Sequence, residues 1–203
     1  MIRLLTLLAL VVGSCSAGAA DAVSRITLKV RAHLVKSERN PRLQTTLTEK
    51  EVRALFVEVN AIWAQAGIYF EVEGVDTLQA NEIPAKRWYI KDRNWIRTAI
   101  PTHQFSPTAI DVCFVNDMGP NGFFYGEPVV VCENPEYQKV TGGTMNIVAR
   151  VTAHELGHVL FLQHRQERTN LMASGKNGFT LNRQEVQDAR KRALEILGQA
   201  PSP

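Results

Sequence analysis

The chain has 203 residues, of which 45% are hydrophobic and 21% are charged, and its formal net charge is +3. This length and apolar content are sufficient for one domain with a buried core, and they argue against intrinsic disorder. Lysine and arginine are spread along the chain without interleaved aromatic clusters. The composition therefore argues against nucleic acid as a partner.

The N-terminal segment is typical of a secretory signal peptide covering residues 1–20. Met1-Ile2-Arg3 supplies a positive start, residues 4–12 are apolar except for Thr6, and small residues follow. An apolar run of this length is too short to span a bilayer as a helix. We therefore predict an exported protein whose single mature domain covers residues 21–203.

Two processing routes are open for this segment. Val12-Gly13-Ser14-Cys15 resembles a bacterial lipobox, in which Cys15 would carry lipid and become the mature N-terminus. Alternatively, residues 17–20 suit an ordinary signal peptidase, which would leave a soluble protein beginning near Asp21. The expected location is the periplasm, the medium or the outer membrane. Membrane contact is expected only through a lipid on Cys15.

The cysteine count is consistent with export. Cys15 would leave with the signal peptide or carry lipid, and the remaining two cysteines are Cys113 and Cys132. In an oxidising compartment such a pair predicts a disulfide. Two free buried thiols are the alternative. A cysteine metal site is disfavoured because the chain has no C-x-x-C spacing.

Hydrophobic periodicity in the first half of the chain predicts a strand, a helix and a second strand. Residues 25–35 alternate between apolar and polar, as in a half-buried strand. Thr48 and Glu51 form a capping-box pattern that opens a helix, and Gly67 ends it. A second strand is predicted at residues 68–75.

The second half predicts two buried strands and two helices, after a segment at residues 76–108 that gives no clear period beyond a short helix. Asn182 and Glu185 suggest an N-terminal cap for the last helix. The whole pattern predicts one α+β domain. The strands are expected at residues 109–115 and 128–132, and the helices at residues 144–162 and 182–197.

The chemistry of the sequence is concentrated in His154, Glu155 and His158. Residues four apart share one face of a helix, so the two imidazoles can bind one Zn²⁺ at roughly 2.0–2.1 Å. Glu155 projects about 100° around the helix from His154, so its carboxylate can reach a water on the metal. Gly157 lies inside this helix, where glycine costs about 1 kcal/mol relative to alanine, and it therefore indicates close packing or function.

A third ligand, His164, requires the helix to end. A straight helix would place His164 about 9 Å further along the axis than His158. The chain must therefore leave the helix between Leu160 and His164. Three histidines would then leave the fourth zinc position open, which is the geometry of a catalytic zinc. His33 and His103 are interpreted as ordinary histidines.

The two helical histidines and Glu155, followed by His164, resemble the zinc signature HExxHxxGxxH of the metzincin metallopeptidases. Asn170-Leu171-Met172-Ala173 resembles the methionine turn of that family, in which Met172 would lie beneath the metal. The order of strands and helices is also similar. The resemblance implies an α+β metzincin-like domain with a small mixed sheet, a zinc-binding helix, a C-terminal helix after the methionine turn and one catalytic Zn²⁺.

The resemblance also implies an activity. Metzincins hydrolyse peptide bonds through a zinc-activated water, so Glu155 is expected to act as general base on a peptide or protein substrate. Metzincin substrates lie extended along an edge strand above the metal. The candidates for that strand are Gly122, Phe123, Phe124 and Tyr125.

Two positions depart from the family pattern. Phe161 stands where the family has the glycine of the turn after the helix. Because phenylalanine is poorly suited to a left-handed backbone, we expect this turn to be displaced or built differently. Ser174 stands where some metzincins carry an additional tyrosine ligand.

Two alternatives stay open at this point. One is a gluzincin-type peptidase, in which Glu185 would be the third zinc ligand in place of His164. The other is a non-catalytic zinc-binding envelope protein that retains the metzincin fold without turnover.

Overall fold

The computed structural model describes residues 24–83, 94–124, 126 and 128–198. The predicted signal peptide, including Cys15, and the candidate substrate residue Tyr125 lie outside the described residues. Within the described part of the chain, no helix has the length and apolar content needed to cross a membrane.

A five-stranded sheet carries the fold, in the order β2-β1-β3-β5-β4. Four neighbouring strands are parallel, and the edge strand β4 pairs antiparallel with β5, so the sheet is mixed as predicted. The second strand continues past its predicted end at residue 75. The strands are β1 (Ile26–Lys36), β2 (Ile68–Gln79), β3 (Ile110–Val115), β4 (Gly122–Phe124) and β5 (Val129–Cys132).

The predicted capping box and the predicted N-terminal cap are both present, and both are capping boxes. The Thr48 and Glu51 pair opens α1, and the Asn182 and Glu185 pair opens the C-terminal helix. In each case two backbone N–H groups of the first turn find side-chain acceptors, which fixes where the helix begins. The helices are α1 (Glu49–Trp63), α2 (Asn94–Ala99), α3 (Ile147–Val159) and α4 (Arg183–Ile196), with single 3₁₀ turns at Ala64–Ala66 and Thr102–Gln104.

The helices divide between the two faces of the sheet. Residues of α1, α3 and α4 share one core cluster with the sheet, and Trp95 and Ile96 of α2 belong to a second cluster on the other face. The fully buried Trp63 at the end of α1 donates its indole N–H to the carbonyl of Ala153 at 3.2 Å. This bond fixes α3, which carries the predicted zinc motif, against α1.

The predicted disulfide between Cys113 and Cys132 is not formed, and this prediction was wrong. Both residues are buried free thiols. Cys113 pairs in register with Val130, and Cys132 pairs with Val115, so the cysteines are two residues out of register on adjacent strands. Strand geometry then separates their Cα atoms by about 8 Å, beyond the roughly 7 Å that a disulfide spans. Burial raises the pKa of both thiols.

Candidate metal centre

Helix α3 carries two of the three predicted ligands. Asn146 caps the helix by accepting a hydrogen bond from the backbone N–H of Ala149 at 3.1 Å. The rings of His154 and His158 lie one turn apart on one face, with centroids 4.8 Å from each other. The helix therefore aims both imidazoles at the same point, as residues four apart allow.

The chain leaves α3 through a Schellman motif. The backbone N–H of Leu162 donates to the carbonyl of Gly157 at 2.9 Å, and that of Phe161 donates to the carbonyl of His158 at 3.0 Å. This motif requires a left-handed residue, usually glycine, just after the helix. Phe161 takes that conformation with φ of 63°, and among the described residues it is the one non-glycine with positive φ.

The expectation that this turn is displaced or built differently was therefore wrong. The turn stays at Phe161, and the backbone accepts a strain of about 1–2 kcal/mol for a residue with a Cβ. The Phe161 ring is 60% exposed, and the guanidinium of Arg192 from α4 lies 3.9 Å from its centroid. This cation–π contact offsets part of the strain.

The turn brings His164 to the helical histidines. Its Nε2 atom lies 3.3 Å from Nε2 of His154 and 3.1 Å from Nε2 of His158. A tetrahedral zinc with nitrogen ligands at 2.0–2.1 Å requires nitrogen separations of about 3.3–3.4 Å. The three residues, called the histidine cluster below, therefore have the chemistry and the spacing that would hold a zinc ion.

Backbone carbonyls fix the tautomers of the two helical ligands. Nδ1 of His154 donates to the carbonyl of Leu171 at 2.8 Å, and Nδ1 of His158 donates to the carbonyl of Leu162 at 2.8 Å. Because a carbonyl can only accept, the proton is on Nδ1 in each ring. The Nε2 lone pairs are therefore the ones that face the cluster, which is the usual arrangement for metal-binding histidines.

Burial keeps these imidazoles neutral. Desolvation, together with the nearby guanidinium of Arg150, lowers the pKa of His154 to about 3. Burial also lowers the pKa of His158 below its ordinary value. Metal ligation requires the neutral imidazole, so the site needs no proton release from these two residues at neutral pH.

Met172 lies beneath α3, and its position accounts for the glycine at residue 157. A Cβ atom at Gly157 would lie 2.6 Å from Sδ of the fully buried Met172, a distance that no methyl group tolerates. Asn170 Oδ1 accepts from the backbone N–H of Met172 at 2.7 Å, and Met172 in turn accepts from the N–H of Arg165 at 3.0 Å. The methionine thus joins the helix to the segment that follows His164.

Glu185 is not one of the residues whose ligand atoms converge in the histidine cluster. Its buried carboxylate accepts from Arg165 Nε at 2.7 Å, from Asn170 Nδ2 at 2.7 Å and from the backbone N–H of Asn182 at 2.8 Å. The alternative that Glu185 is the third zinc ligand does not agree with this placement. This carboxylate connects α4 to the segment that carries His164 and Met172.

Arg150 is a site residue that the sequence did not single out. Its buried guanidinium donates to the carbonyl of Leu171 at 2.6 Å, to that of Gly178 at 3.0 Å and to that of Ala173. Burial lowers its pKa to about 10. Its position four residues before His154, on the same helix face, was the available signal, since an arginine facing a core needs a structural reason.

Glu155 borders the cleft above the histidine cluster. It is buried, and a Cβ atom at Gly122 of β4 would lie 2.7 Å from its Cγ and Oε1 atoms. The edge strand therefore passes directly beside the carboxylate because residue 122 has no side chain. Gly122, Phe123 and Phe124 of the predicted substrate strand line this cleft of about 370 Å³, and Ser174 and Gly175 also line it.

The other two histidines are not part of the cluster. His33 Nε2 lies 2.6 Å from Oδ1 of the buried Asp111, on strands β1 and β3. The backbone N–H of Ser106 also donates to Asp111, at 3.1 Å from Oδ2. His103 lies in the 3₁₀ turn before β3 and is exposed.

Comparisons with known proteins show a similarity of fold. No protein-family model and no curated protein matches the chain. Among solved structures, one chain of a chaperone–substrate complex is 14% identical with a TM-score of 0.52, over 88% of this chain and 36% of that chain. This chain thus spans about a third of that chain's length, and at this identity the likeness shows a shared fold alone.

Two further structures are similar at lower scores. Archaemetzincin from Methanopyrus kandleri is 16% identical with a TM-score of 0.40, over 86% of this chain and 94% of that chain. Metalloproteinase-II from Bacteroides fragilis is 13% identical with a TM-score of 0.44, over 90% of this chain and 56% of that chain. The assignment of a function therefore depends on the geometry of the histidine cluster and Glu155.

Proposed function

We propose that the protein is an exported zinc-dependent metalloendopeptidase of the metzincin type that acts on peptide or protein substrates. The observation that carries the proposal is the approach of the Nε2 atoms of His154 and His158 to within 3.1–3.3 Å of Nε2 of His164. A buried glutamate borders the same cleft. Export is proposed from the signal-like residues 1–20 alone.

The residues of the cleft divide the chemistry between them. A bound zinc ion supplies Lewis acidity, which polarises a carbonyl and lowers the pKa of a water towards about 7. Glu155 accepts the proton of the attacking water and delivers it to the leaving amine. The histidine cluster would hold the metal, and the hydrogen bonds of His154 and His158 to backbone carbonyls orient the rings.

The edge of the sheet supplies a place for the substrate. Strand β4 is at the edge of the sheet, and within the described part of the chain its paired neighbour is β5. Its outer N–H and C=O groups can pair with an extended peptide, which is recognition by strand addition. A peptide held along Gly122–Phe124 would lie across the cleft beside Glu155.

The test is hydrolysis of a broad peptide mixture by the chain without residues 1–20, with and without a zinc chelator. We expect cleavage that the chelator abolishes and added zinc restores. Glu155→Gln should retain zinc and lose about 10²–10⁴-fold in rate, because it removes the general base and no ligand. His154→Ala is the matched variant that should lose both zinc and cleavage.

One result would contradict the proposal. Stoichiometric zinc without chelator-sensitive cleavage of any peptide would favour the non-catalytic zinc-binding envelope protein instead.

A further inference from the structure

A second cavity of about 330 Å³ lies next to the metal cleft. It opens between one end of the sheet and the C-terminal ends of α3 and α4. Its walls are mainly apolar side chains. They include Leu28, Ile110 and Val129 from three neighbouring strands, Val159 from α3, and Ile196 and Leu197 from α4.

This cavity adjoins the open groove beside the histidine cluster. Phe124, Gly126 and Phe161 line both the cavity and the open groove beside His158 and His164. Phe124 is also the last residue of the edge strand β4. A peptide that follows β4 past the metal therefore reaches the mouth of the cavity at the end of that strand.

Exposed apolar side chains gather at the mouth. Phe161 is 60% exposed, Ile196 is 39% exposed and Leu197 is 40% exposed. They make up three of the six large apolar side chains that are exposed in the described part of the chain. Single exposed apolar residues are ordinary, but a contiguous group beside a cleft marks a binding surface.

Phe161 adds an independent observation. It occupies a left-handed position where glycine would be free of strain, and it is largely exposed, so its contact with Arg192 offsets only part of that strain. Backbone strain that the fold retains points to function. The ring forms the wall that the groove and the cavity share.

We infer that this cavity is a substrate-specificity subsite, which takes one large apolar side chain, aromatic or long aliphatic, from a peptide bound along β4. The inference rests on the proposed function and names its substrate class. The cavity is at the lower end of the range for small-ligand pockets and has room for one such side chain. Burial of that side chain should favour the peptide by about 10–100-fold over its serine counterpart.

The test uses peptides in which a single phenylalanine or leucine is moved along a serine- and glycine-rich sequence. The wild-type chain without residues 1–20 should cleave fastest when the apolar residue is at one fixed distance from the cut bond, with kcat/KM about 10–100-fold above the serine peptide. Ile196→Glu should remove most of this advantage, because it places a charge in the apolar wall.

Two further variants test whether the preference for an apolar residue depends on this cavity. Phe161→Gly keeps the left-handed turn and removes the shared wall, so it should also reduce the preference while zinc content is unchanged. Val57→Glu changes an exposed apolar residue of α1 that lines neither cavity, and it should leave the preference intact. Val57→Glu should also cleave the serine peptide at the wild-type rate. For every variant the preference is measured as the ratio of kcat/KM for the apolar peptide to kcat/KM for the serine peptide.

Binding separates this inference from the proposed function. A fluorescent apolar peptide should bind zinc-loaded Glu155→Gln protein, and Ile196→Glu in that protein should weaken binding about 10–100-fold. If no peptide is cleaved but this dependence is found, the subsite stands and the peptidase proposal fails.

The subsite would be overturned by cleavage without regard to apolar residues, or by a preference that survives both Ile196→Glu and Phe161→Gly. The absence of any peptide binding would also overturn it. A preference that emerges only after removal of residues 199–203 would assign the cavity to the chain's own end, and would also overturn it.

Discussion

The histidine cluster is assembled from two regions that are built in different ways. In α3, the helical repeat alone places His154, Glu155 and His158, and one side-chain cap at Asn146 starts the helix. In the segment from residue 160 to residue 173, no repeat is present, and His164 is placed by a strained turn and by contacts to α4. Local spacing therefore determines two ligands, and tertiary structure determines the third.

The largest losses of zinc affinity should follow replacement of the ligands, and one ligand from each region is compared. His154→Ala and His164→Ala should each weaken zinc binding by more than about 100-fold, since even partners of ligands contribute about 10–100-fold. A competitive chelator titration measures this. Unchanged zinc affinity in His164→Ala would show that the irregular region does not contribute a ligand.

Stability should distinguish the same two variants. His154 is buried and donates to the carbonyl of Leu171, so its loss should lower the free energy of unfolding of the metal-free protein. His164 is exposed, so its replacement should leave that free energy within about 0.5 kcal/mol. Urea unfolding without metal tests this difference.

The next effect concerns the contacts that hold the irregular region. Glu185→Gln keeps the volume but weakens the bonds to Arg165 and Asn170, so it should reduce zinc affinity by about 10–100-fold through the position of His164. Asp188→Asn on the same helix alters only an exposed hydrogen bond with Gln184 and is the matched control. Equal affinities of the two variants would show that α4 does not position the third ligand.

A smaller effect is expected at the contact between the two regions, where Gly157 of α3 meets Met172. Gly157→Ala would normally stabilise a helix, but here the methyl group meets Met172 Sδ, so we expect a loss of about 1–3 kcal/mol in the free energy of unfolding. Gly74→Ala is the control, because its Cβ would have only ordinary contacts at 3.9 Å. A stabilised Gly157→Ala would mean that the helix and the methionine are not in contact.

The smallest effect is a pH dependence of the metal-free protein. The folded pKa of His154 is about 3, whereas the unfolded value is about 6.5. Below pH 6.5 the unfolded chain binds a proton that the folded chain does not, so stability should fall as the pH decreases. Between pH 7 and pH 5 the loss should be on the order of 1–2 kcal/mol for this group.

Denaturant unfolding at several pH values measures that slope. The matched variant is His154→Gln, which has no ionisable group at this position and should show a flatter profile. A wild-type profile as flat as that of the variant would contradict the buried, neutral state of His154.

The difference between local and tertiary contacts also explains which features the sequence could predict. Thr48 with Glu51 and Asn182 with Glu185 are bonds within one helical turn, and the spacing of His154 and His158 is also local. Such features depend on neighbours a few residues away, so the sequence carries them directly. The alternation of β1 belongs to the same class.

The remaining features depend on residues distant in sequence. Whether Cys113 and Cys132 can join depends on the register of β3 and β5, which cysteine counting does not contain. Glu185 was recognised as a cap, but its bonds to Arg165 and Asn170 exist only because α4 packs under that segment. For Phe161, backbone preference predicted the opposite of what the Schellman turn imposes.

Gly122 sets a limit on how this protein can be engineered. Glycine weakens a strand, so replacement by valine or threonine is the usual way to strengthen one. At this position any such side chain would occupy the space of the Glu155 carboxylate. A substitution meant to stabilise the edge strand must therefore be made elsewhere on β4, because a side chain at residue 122 would displace the Glu155 carboxylate.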